Sequence, residues 1–126
     1  MKTKEILEVL KVLAVNSEKS GNPTIPEMDS YWIGKKVIVR TYSAGVHYGK
    51  IRLKSGSEVI LEDSRRLWYW KTTNKGISLS EIANAGVNKE SKVCQCVSLI
   101  WLDAIELIVC QPEAINSIEA QDDYKS

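Results

Sequence analysis

Two clusters of residues in this chain have types and a spacing suited to recognising an anion. The first is the run of small residues Ser43, Ala44 and Gly45, set between two alternating runs. Small side chains would let a ligand approach the backbone, while turn amides and the serine hydroxyl would donate to an anion. The alternative is an ordinary hairpin turn in which Gly45 takes a left-handed conformation. Tyr42, His47 and Tyr48 flank the turn and could stack or hydrogen-bond, and Arg40 is also predicted to bind the ligand.

The second cluster is the segment Arg65–Trp70, in which two arginines stand beside three aromatic residues. On a strand, Arg66, Trp68 and Trp70 share one face, and Arg65 lies on the other. A guanidinium pairs with phosphate and an indole stacks on a base, so such a face suits a nucleotide. The alternative is that the tryptophans belong to the core and the arginines are solvated. We predict a ligand site in which the turn of the first cluster meets these side chains.

The sequence shows no catalytic or metal-binding motif. His47 is the only histidine and could act as a general base, but the sequence places no second residue to orient it. The chain has three cysteines, an odd count, at spacings that match no common zinc motif. We therefore predict a protein that is not an enzyme and has no metal or cofactor. We expect Cys94, Cys96 and Cys110 to be free thiols in a reducing compartment.

The overall composition limits the classes of partner. With 126 residues and a formal net charge of +1, the chain has the size of one domain and no global field that would attract polymeric nucleic acid. No apolar run reaches the roughly 18 residues of a membrane-spanning helix. Charged residues interrupt the apolar part of the first 15 residues, which argues against a secretory signal. We expect a cytoplasmic protein with no membrane partner.

The elements that would carry both clusters are strands. The segment Lys35–Trp70 contains three runs of alternating apolar and polar residues separated by glycine-bearing turns, which predicts an antiparallel meander. Residues 64–70 would add a fourth strand, and Val93–Leu99 and Ile105–Cys110 two more. The predicted fold class is α+β, a small, twisted, mainly antiparallel sheet of about six strands that could curl towards a barrel, with short peripheral helices.

The residues outside the sheet divide the chain into three parts. A helix is predicted over Lys4–Val15, where apolar residues recur at helical spacing, followed by a loop or linker over Asn16–Ser30. We expect residues 1–30 to form this helix and linker, residues 31–120 a single β-rich domain, and residues 121–126 a frayed polar tail. A short helix needs a partner surface, which could be this sheet or another copy of the chain. We predict a homo-oligomer in which the helix contributes to the contact.

Two further helices are predicted from their boundary signals. Ser78 and Glu81 have the capping-box spacing, and Gly86 suits the C-terminal end of a short helix that stops near Ala85. Pro112 suits the first turn of a last helix.

Four segments in this order resemble a family of small uncharacterised proteins found mostly in tailed-bacteriophage genomes. They are GKKVIVRTYSAGVHYGKI, LEDSRRLWYW, LSEIANAGV and WLDAIELIVC. The resemblance covers about Gly34 to Ala120, and its most specific parts contain the two clusters described above. It implies a phage accessory protein that acts in the cytoplasm of the infected bacterium, and it implies no reaction.

The resemblance favours a function against host defence. Small phage proteins of this size often block bacterial immunity, and one class resembles a sponge that sequesters its nucleotide signals. Together with the arginine and tryptophan face, this analogy favours binding of a cyclic or linear nucleotide without turnover. Two alternatives stay open. One is an inhibitor of a host defence enzyme that uses exposed aromatic residues. The other is a module for single-stranded nucleic acid, which the near-zero net charge disfavours.

Overall fold

A computed structural model describes residues 25–125 of the chain. The predicted α+β class, with an antiparallel sheet and short helices, is confirmed. The described elements are α1 (Ile25–Trp32), β1 (Lys36–Thr41), β2 (Val46–Ser55), β3 (Glu58–Tyr69), α2 (Leu79–Ala85), β4 (Lys92–Val93), β5 (Val97–Val109) and α3 (Pro112–Ala120).

The four long strands pair with one another in a closed ring. β1 pairs antiparallel with β2 and β5, and β3 pairs antiparallel with the same two strands. The short strand β4 pairs with the second half of β3. The turns that join β1 to β2 and β2 to β3 contain Gly45 and Gly56 at positive φ values of 86° and 59°, where glycine is favoured.

The ring separates two hydrophobic cores. The inner core lies within the ring and consists of Val37, Val39, Ile51, Val59, Leu61 and Leu102. The outer core lies between one side of the ring and the helices, and its members include Ile38, Tyr48, Leu67, Ile82, Ala114 and Ile118. Alternate residues of one strand therefore contribute to different cores.

β3 is a single continuous strand that covers the predicted third and fourth strands. Its register with β2 shifts between Tyr48 and Lys50, so β3 carries one extra residue at that point. Asp63 takes a positive φ of 51° within this bulge. Residues 64–70, predicted as a separate fourth strand, therefore continue the third strand up to Tyr69 instead of lying beside it.

The C-terminal half of the sheet also differs from the prediction. β5 is a single strand, whereas the sequence predicts two strands joined through residues 101–103. Trp101 and Leu102 pair with β3 in the middle of this strand. Only Lys92 and Val93 form β4, and residues 94–96 lie in the connection to β5 rather than on a strand.

The segment before β1 was predicted to be a loop, but residues 25–32 form α1. Asp29 of this helix is buried, and its carboxylate accepts from Lys54 Nζ at 2.9 Å. Trp32 and Ile33 pack against the inner core. The helix predicted over Lys4–Val15 lies outside the described residues.

The C-terminal tail is held against the sheet as far as Tyr124, so the prediction of fraying is wrong for this part. Asp123 forms a bridge with Val93 of β4. The Tyr124 amide donates to the Val93 carbonyl at 2.8 Å.

The caps of α2 and α3 follow the predicted signals. Ser78 Oγ accepts from the Glu81 amide at 3.3 Å, and Pro112 is the first residue of α3. Gly86 ends α2 at a φ of 94°, and a Cβ there would lie 2.3 Å from Ser117 Cβ, so the glycine also lets α2 and α3 approach each other. Neither these helices nor α1 combines the length and apolar character required to cross a bilayer.

Candidate ligand-binding site

A cavity of about 290 Å³ lies where β2 and β3 meet the connection between β4 and β5. His47 and Arg66, both predicted site residues, are direct neighbours across β2 and β3. Ile100 packs against the inner core and gives the cavity an apolar wall. The lining residues of this His47–Arg66 cavity are His47, Ser64, Arg66, Cys94, Gln95, Val97 and Ile100.

His47 is a buried, neutral imidazole. Only 1% of its surface is exposed, and Nε2 lies 2.8 Å from the Ala44 carbonyl oxygen. Nε2 must carry the hydrogen that this carbonyl accepts, so Nδ1 is left as an acceptor. Burial lowers the pKa of His47 below its ordinary value of 6.5. The Ala44 hydrogen bond opposes this shift, and the positive charge of Arg66 adds to it.

Arg66 presents an exposed cation beside this neutral ring. Among residues 25–125, its guanidinium forms no ion pair with a carboxylate and no hydrogen bond. Its backbone carbonyl accepts from the Cys94 amide at 2.8 Å, which fixes the adjoining connection. Trp68 follows two residues later on β3, where the register with β4 shifts. It is 63% exposed and is not among the residues that line the cavity. An unpaired guanidinium therefore lies on the cavity, and an exposed indole lies outside it on the same strand.

Ser64 contributes a buried hydroxyl without a protein partner. It is 1% exposed, and within the described part of the chain its Oγ makes no hydrogen bond. A Cβ on Gly49 would lie 3.1 Å from Leu61 and 3.3 Å from Ser64 Cα. The absence of a side chain at Gly49 therefore lets β2 pack closely against β3 beside Ser64. A buried polar group left unpaired costs about 1–3 kcal/mol, and such groups are few in folded proteins. Ser64 lines the cavity, so a ligand that reaches this wall could satisfy the hydroxyl.

Arg65, the other arginine of the pair, forms hydrogen bonds within the protein and does not line the His47–Arg66 cavity. It is 5% exposed and lies on the opposite face of β3. With all five N–H donors of the guanidinium engaged, none is left for a phosphate. Its acceptors, at 2.7–3.3 Å, are the carbonyls of Val93, Cys94, Ile118 and Gln121 and the carboxylate of Asp123.

Trp70 and Arg40 also lie away from the cavity. Trp70 follows the end of β3 and packs against the outer core, and its Nε1 donates to the Ile77 carbonyl at 3.2 Å. Arg40 donates from Nε to the Glu106 carboxylate at 3.0 Å. For Trp70, the alternative interpretation of a core tryptophan is the one that fits these contacts.

The turn between β1 and β2 acts on the site only through its hydrogen bond to the imidazole. Thr41 Oγ1 accepts from the Ala44 amide at 2.8 Å and donates to the Gly45 carbonyl at 2.7 Å, so this amide is not available to an anion. Tyr42 is 92% exposed. None of Tyr42, Ser43 and Gly45 lines the cavity.

Several lining residues were missed by the sequence reasoning. The burial of Ser64 depends on the bulge at Asp63, and the only local signal for it is that aspartate tolerates a positive φ. Gln95 and Cys94 come from a connection that was predicted to be a strand. The residues missed are Ser64, Cys94, Gln95, Val97 and Ile100.

The arrangement is suited to an anion that carries an apolar part. Arg66 supplies a permanent positive charge, and His47 and Ser64 supply an acceptor and a hydroxyl. Val97 and Ile100 supply apolar surface. Within residues 25–125, no three His, Cys, Asp or Glu side chains are arranged to hold a metal ion.

Comparison with known protein families shows which family the chain belongs to. A family model described as a domain of unknown function, DUF6948, matches residues 34–118, more than half of the chain. The chain belongs to the DUF6948 family. The predicted membership of an uncharacterised family is confirmed in this form, and the DUF6948 match contains every residue that lines the His47–Arg66 cavity. No curated protein and no solved structure matches the chain significantly.

Proposed function

We propose that this DUF6948 protein binds a nucleotide-type anion in the His47–Arg66 cavity and sequesters it without turnover. The observation that carries the proposal is Arg66, an exposed cation on the cavity that pairs with no group in residues 25–125. A guanidinium matches the geometry of a phosphate, and such charge-assisted contacts are worth about 1.5–3 kcal/mol. The His47 acceptor and the Ser64 hydroxyl add two polar contacts.

The size of the cavity limits what can enter it. A volume of about 290 Å³ lies at the lower end of the range for small-molecule sites. One group the size of a base or a sugar would fill it, and the rest of the ligand would stay outside. Trp68, exposed two residues further along β3, would stack on an outer base, a contact worth about 1–3 kcal/mol. These features support a mononucleotide or one half of a cyclic dinucleotide.

Binding without turnover is supported by the surroundings of the only histidine. The Nε2 atom of His47 is used by the Ala44 carbonyl. No carboxylate is present among the residues that line the cavity, so none is positioned there to orient the imidazole as a general base.

The proposed biological setting is the cytoplasm of an infected bacterium. There the protein would act as a phage accessory protein that lowers the concentration of a nucleotide immune signal. This part of the proposal is supported by the resemblance of the RTYSAGVHYG and RRLWYW segments to proteins of tailed bacteriophages.

Calorimetric titration of the full-length protein with nucleoside monophosphates, cyclic mononucleotides and cyclic dinucleotides tests the proposal. We expect the wild type to bind one of these classes, and Arg66→Ala to bind it about 10–150-fold less tightly. Arg52→Ala is the matched control, because Arg52 carries the same charge on β2 but does not line the cavity. Equal weakening in both variants would show that general charge, not this site, attracts the ligand.

A second candidate function is inhibition of a host protein through exposed aromatic residues. Tyr42, Trp68 and Tyr69 are 92%, 63% and 41% exposed. Aromatic side chains dominate interface hot spots. This function replaces nucleotide binding if the wild type binds nothing in the panel.

A further inference from the structure

The ring has an apolar outer face that no described residue covers. This open face consists of Leu53, Ile60, Leu99 and Trp101, which three adjacent strands contribute. Leu53 lies opposite Ile60, and Ile60 lies opposite Trp101, so the side chains form one row. Leu53, Leu99 and Trp101 are 41%, 52% and 57% exposed. A groove of about 310 Å³ runs beside this row.

The other outer side of the ring shows how this fold covers such a row. Ile38 lies opposite Ile108 across β1 and β5. Helix residues Ile82, Ala114 and Ile118, all fully buried, complete the core on this side. Single exposed apolar residues are ordinary, whereas a contiguous apolar patch marks a binding surface. The open face is therefore suited to a second amphipathic segment.

The chain before α1 has the composition to supply that segment. Lys4 and Lys11 are seven residues apart and border one side of an apolar stripe at helical spacing, whereas Glu5 and Glu8 fall further from that stripe. The stripe residues are Ile6, Leu7, Leu10, Leu13 and Ala14. Complementary carboxylates lie on the same outer side of β3 and β5 as the open face, and they belong to Glu58, Glu62 and Asp103.

The chain also enters the described structure beside this face. α1 begins at Ile25, and Asp29, one helical turn later, pairs with Lys54, which lines the groove. Residues 16–24 can span at most about 30 Å when extended, roughly the width of a small domain. A tether of this length gives the preceding segment a high effective concentration at its own ring.

We propose that residues 4–15 bind the open face of the same chain, with their apolar stripe against Leu53, Ile60 and Trp101. The stripe then has an intramolecular partner instead of the oligomer contact that the sequence favours. The two arrangements respond differently to protein concentration, because only an intramolecular contact is independent of dilution.

Hydrogen exchange of the full-length protein, read by mass spectrometry, tests this docking. We expect peptides from residues 4–15 to exchange at least about tenfold more slowly than an unstructured chain. Ile60→Ser combined with Trp101→Ser should remove this protection, while β1 peptides stay protected and report an intact ring. Leu53→Asp is a second variant that spares the core, because its side chain is already partly exposed. Tyr42→Ser, which alters an exposed aromatic residue outside the open face, should leave the protection unchanged.

Three results would overturn the proposal. Free exchange of residues 4–15 in the wild type would show that the segment is not docked. Protection that survives both open-face variants would place the segment elsewhere. Protection that falls on about tenfold dilution would identify a second copy as the occupant.

Discussion

Arg65 and Arg66 are adjacent residues of the same type, yet they lie on opposite faces of β3. Polar side chains on the Arg65 face have partners within the protein, whereas two on the Arg66 face have none in residues 25–125. On the Arg65 side, the guanidinium donates to four backbone carbonyls and one carboxylate, and the buried hydroxyl of Ser91 is hydrogen-bonded within the chain. On the Arg66 side, the guanidinium has no partner in residues 25–125, and neither does Ser64 Oγ. His47 keeps one ring nitrogen as an acceptor.

This difference separates residues that stabilise the fold from residues that are available to a ligand. A polar group satisfied within the chain contributes to stability, whereas a buried group without a partner costs free energy that a ligand could recover. Strand alternation places consecutive residues on opposite faces, so a difference of one position decides the role. Substitutions on the two sides should therefore have effects of different kinds.

The largest effect expected is the loss of stability in Arg65→Met. The methionine keeps the apolar stem of the side chain but leaves four carbonyls and the Asp123 carboxylate without their donor. We expect the free energy of unfolding to fall by about 3–5 kcal/mol, measured by urea denaturation at neutral pH.

Arg66→Met is the matched control for this prediction. Because the Arg66 side chain is exposed and pairs with no group in residues 25–125, its replacement should change stability by less than about 0.5 kcal/mol. Similar losses in the two variants would remove the distinction between the two sides.

The sequence predicted the parts of the fold that rest on local signals. Alternation predicted β1 and β2, and caps predicted the ends of α2 and the start of α3. The bulge at Asp63 and the continuity of β5 through Trp101 depend on which strands pair. Pairing is a tertiary property. Aspartate tolerates the positive φ at position 63, but its residue type does not indicate which strands pair.

The same limit applies to the candidate site. Residue chemistry was enough to select His47 and Arg66, which the structure brings together. Residue chemistry could not distinguish the role of Arg65 from that of Arg66. The hydrogen bonds that engage the Arg65 guanidinium depend on how α3 and the C-terminal tail pack. Ser64 carried no chemical signal at all, since its burial follows from the bulge beside it.

A pH-dependent effect on stability is expected from His47. Because burial lowers its pKa below 6.5, both folded and unfolded rings are neutral only well above that pH. As the pH falls below 6.5, the unfolded ring takes up its proton first, so the free energy of unfolding declines until the folded pKa is passed. We expect the loss of stability between about pH 7.5 and about pH 5.5 to be smaller in His47→Gln than in the wild type.

The comparison with the variant is needed because a carboxylate acts in the same direction. The pKa of Glu119 is lowered by its hydrogen bonds from Lys36 and Tyr48, so its stabilisation is lost as the pH falls through the carboxyl range. That contribution is common to both proteins and cancels in their difference. An equal loss on acidification in both would mean that the His47 pKa does not change on folding.

A small effect on stability is expected for Ser64→Ala, and its sign is opposite to the usual one. Alanine removes a buried hydroxyl that has no partner in the described part of the chain, so stability should stay the same or rise by up to about 1 kcal/mol. Ser91→Ala is the matched control, because Ser91 is also buried but its hydroxyl donates to the Lys71 carbonyl and accepts from the Lys71 amide. That variant should lose about 1 kcal/mol.

Ser64→Ala also connects this contrast to the proposed function. If Ser64 Oγ contacts the ligand, the variant should be at least as stable as the wild type when free, yet bind nucleotide about 5–10-fold less tightly in calorimetric titration. Stability and affinity would then move in opposite directions, as expected where a fold tolerates an unsatisfied group for the sake of binding. A loss of stability as large as that of Ser91→Ala would show instead that Ser64 is satisfied in solution, for example by an ordered water. The two sides of β3 would then be built alike, and the case for a ligand would rest on Arg66 alone.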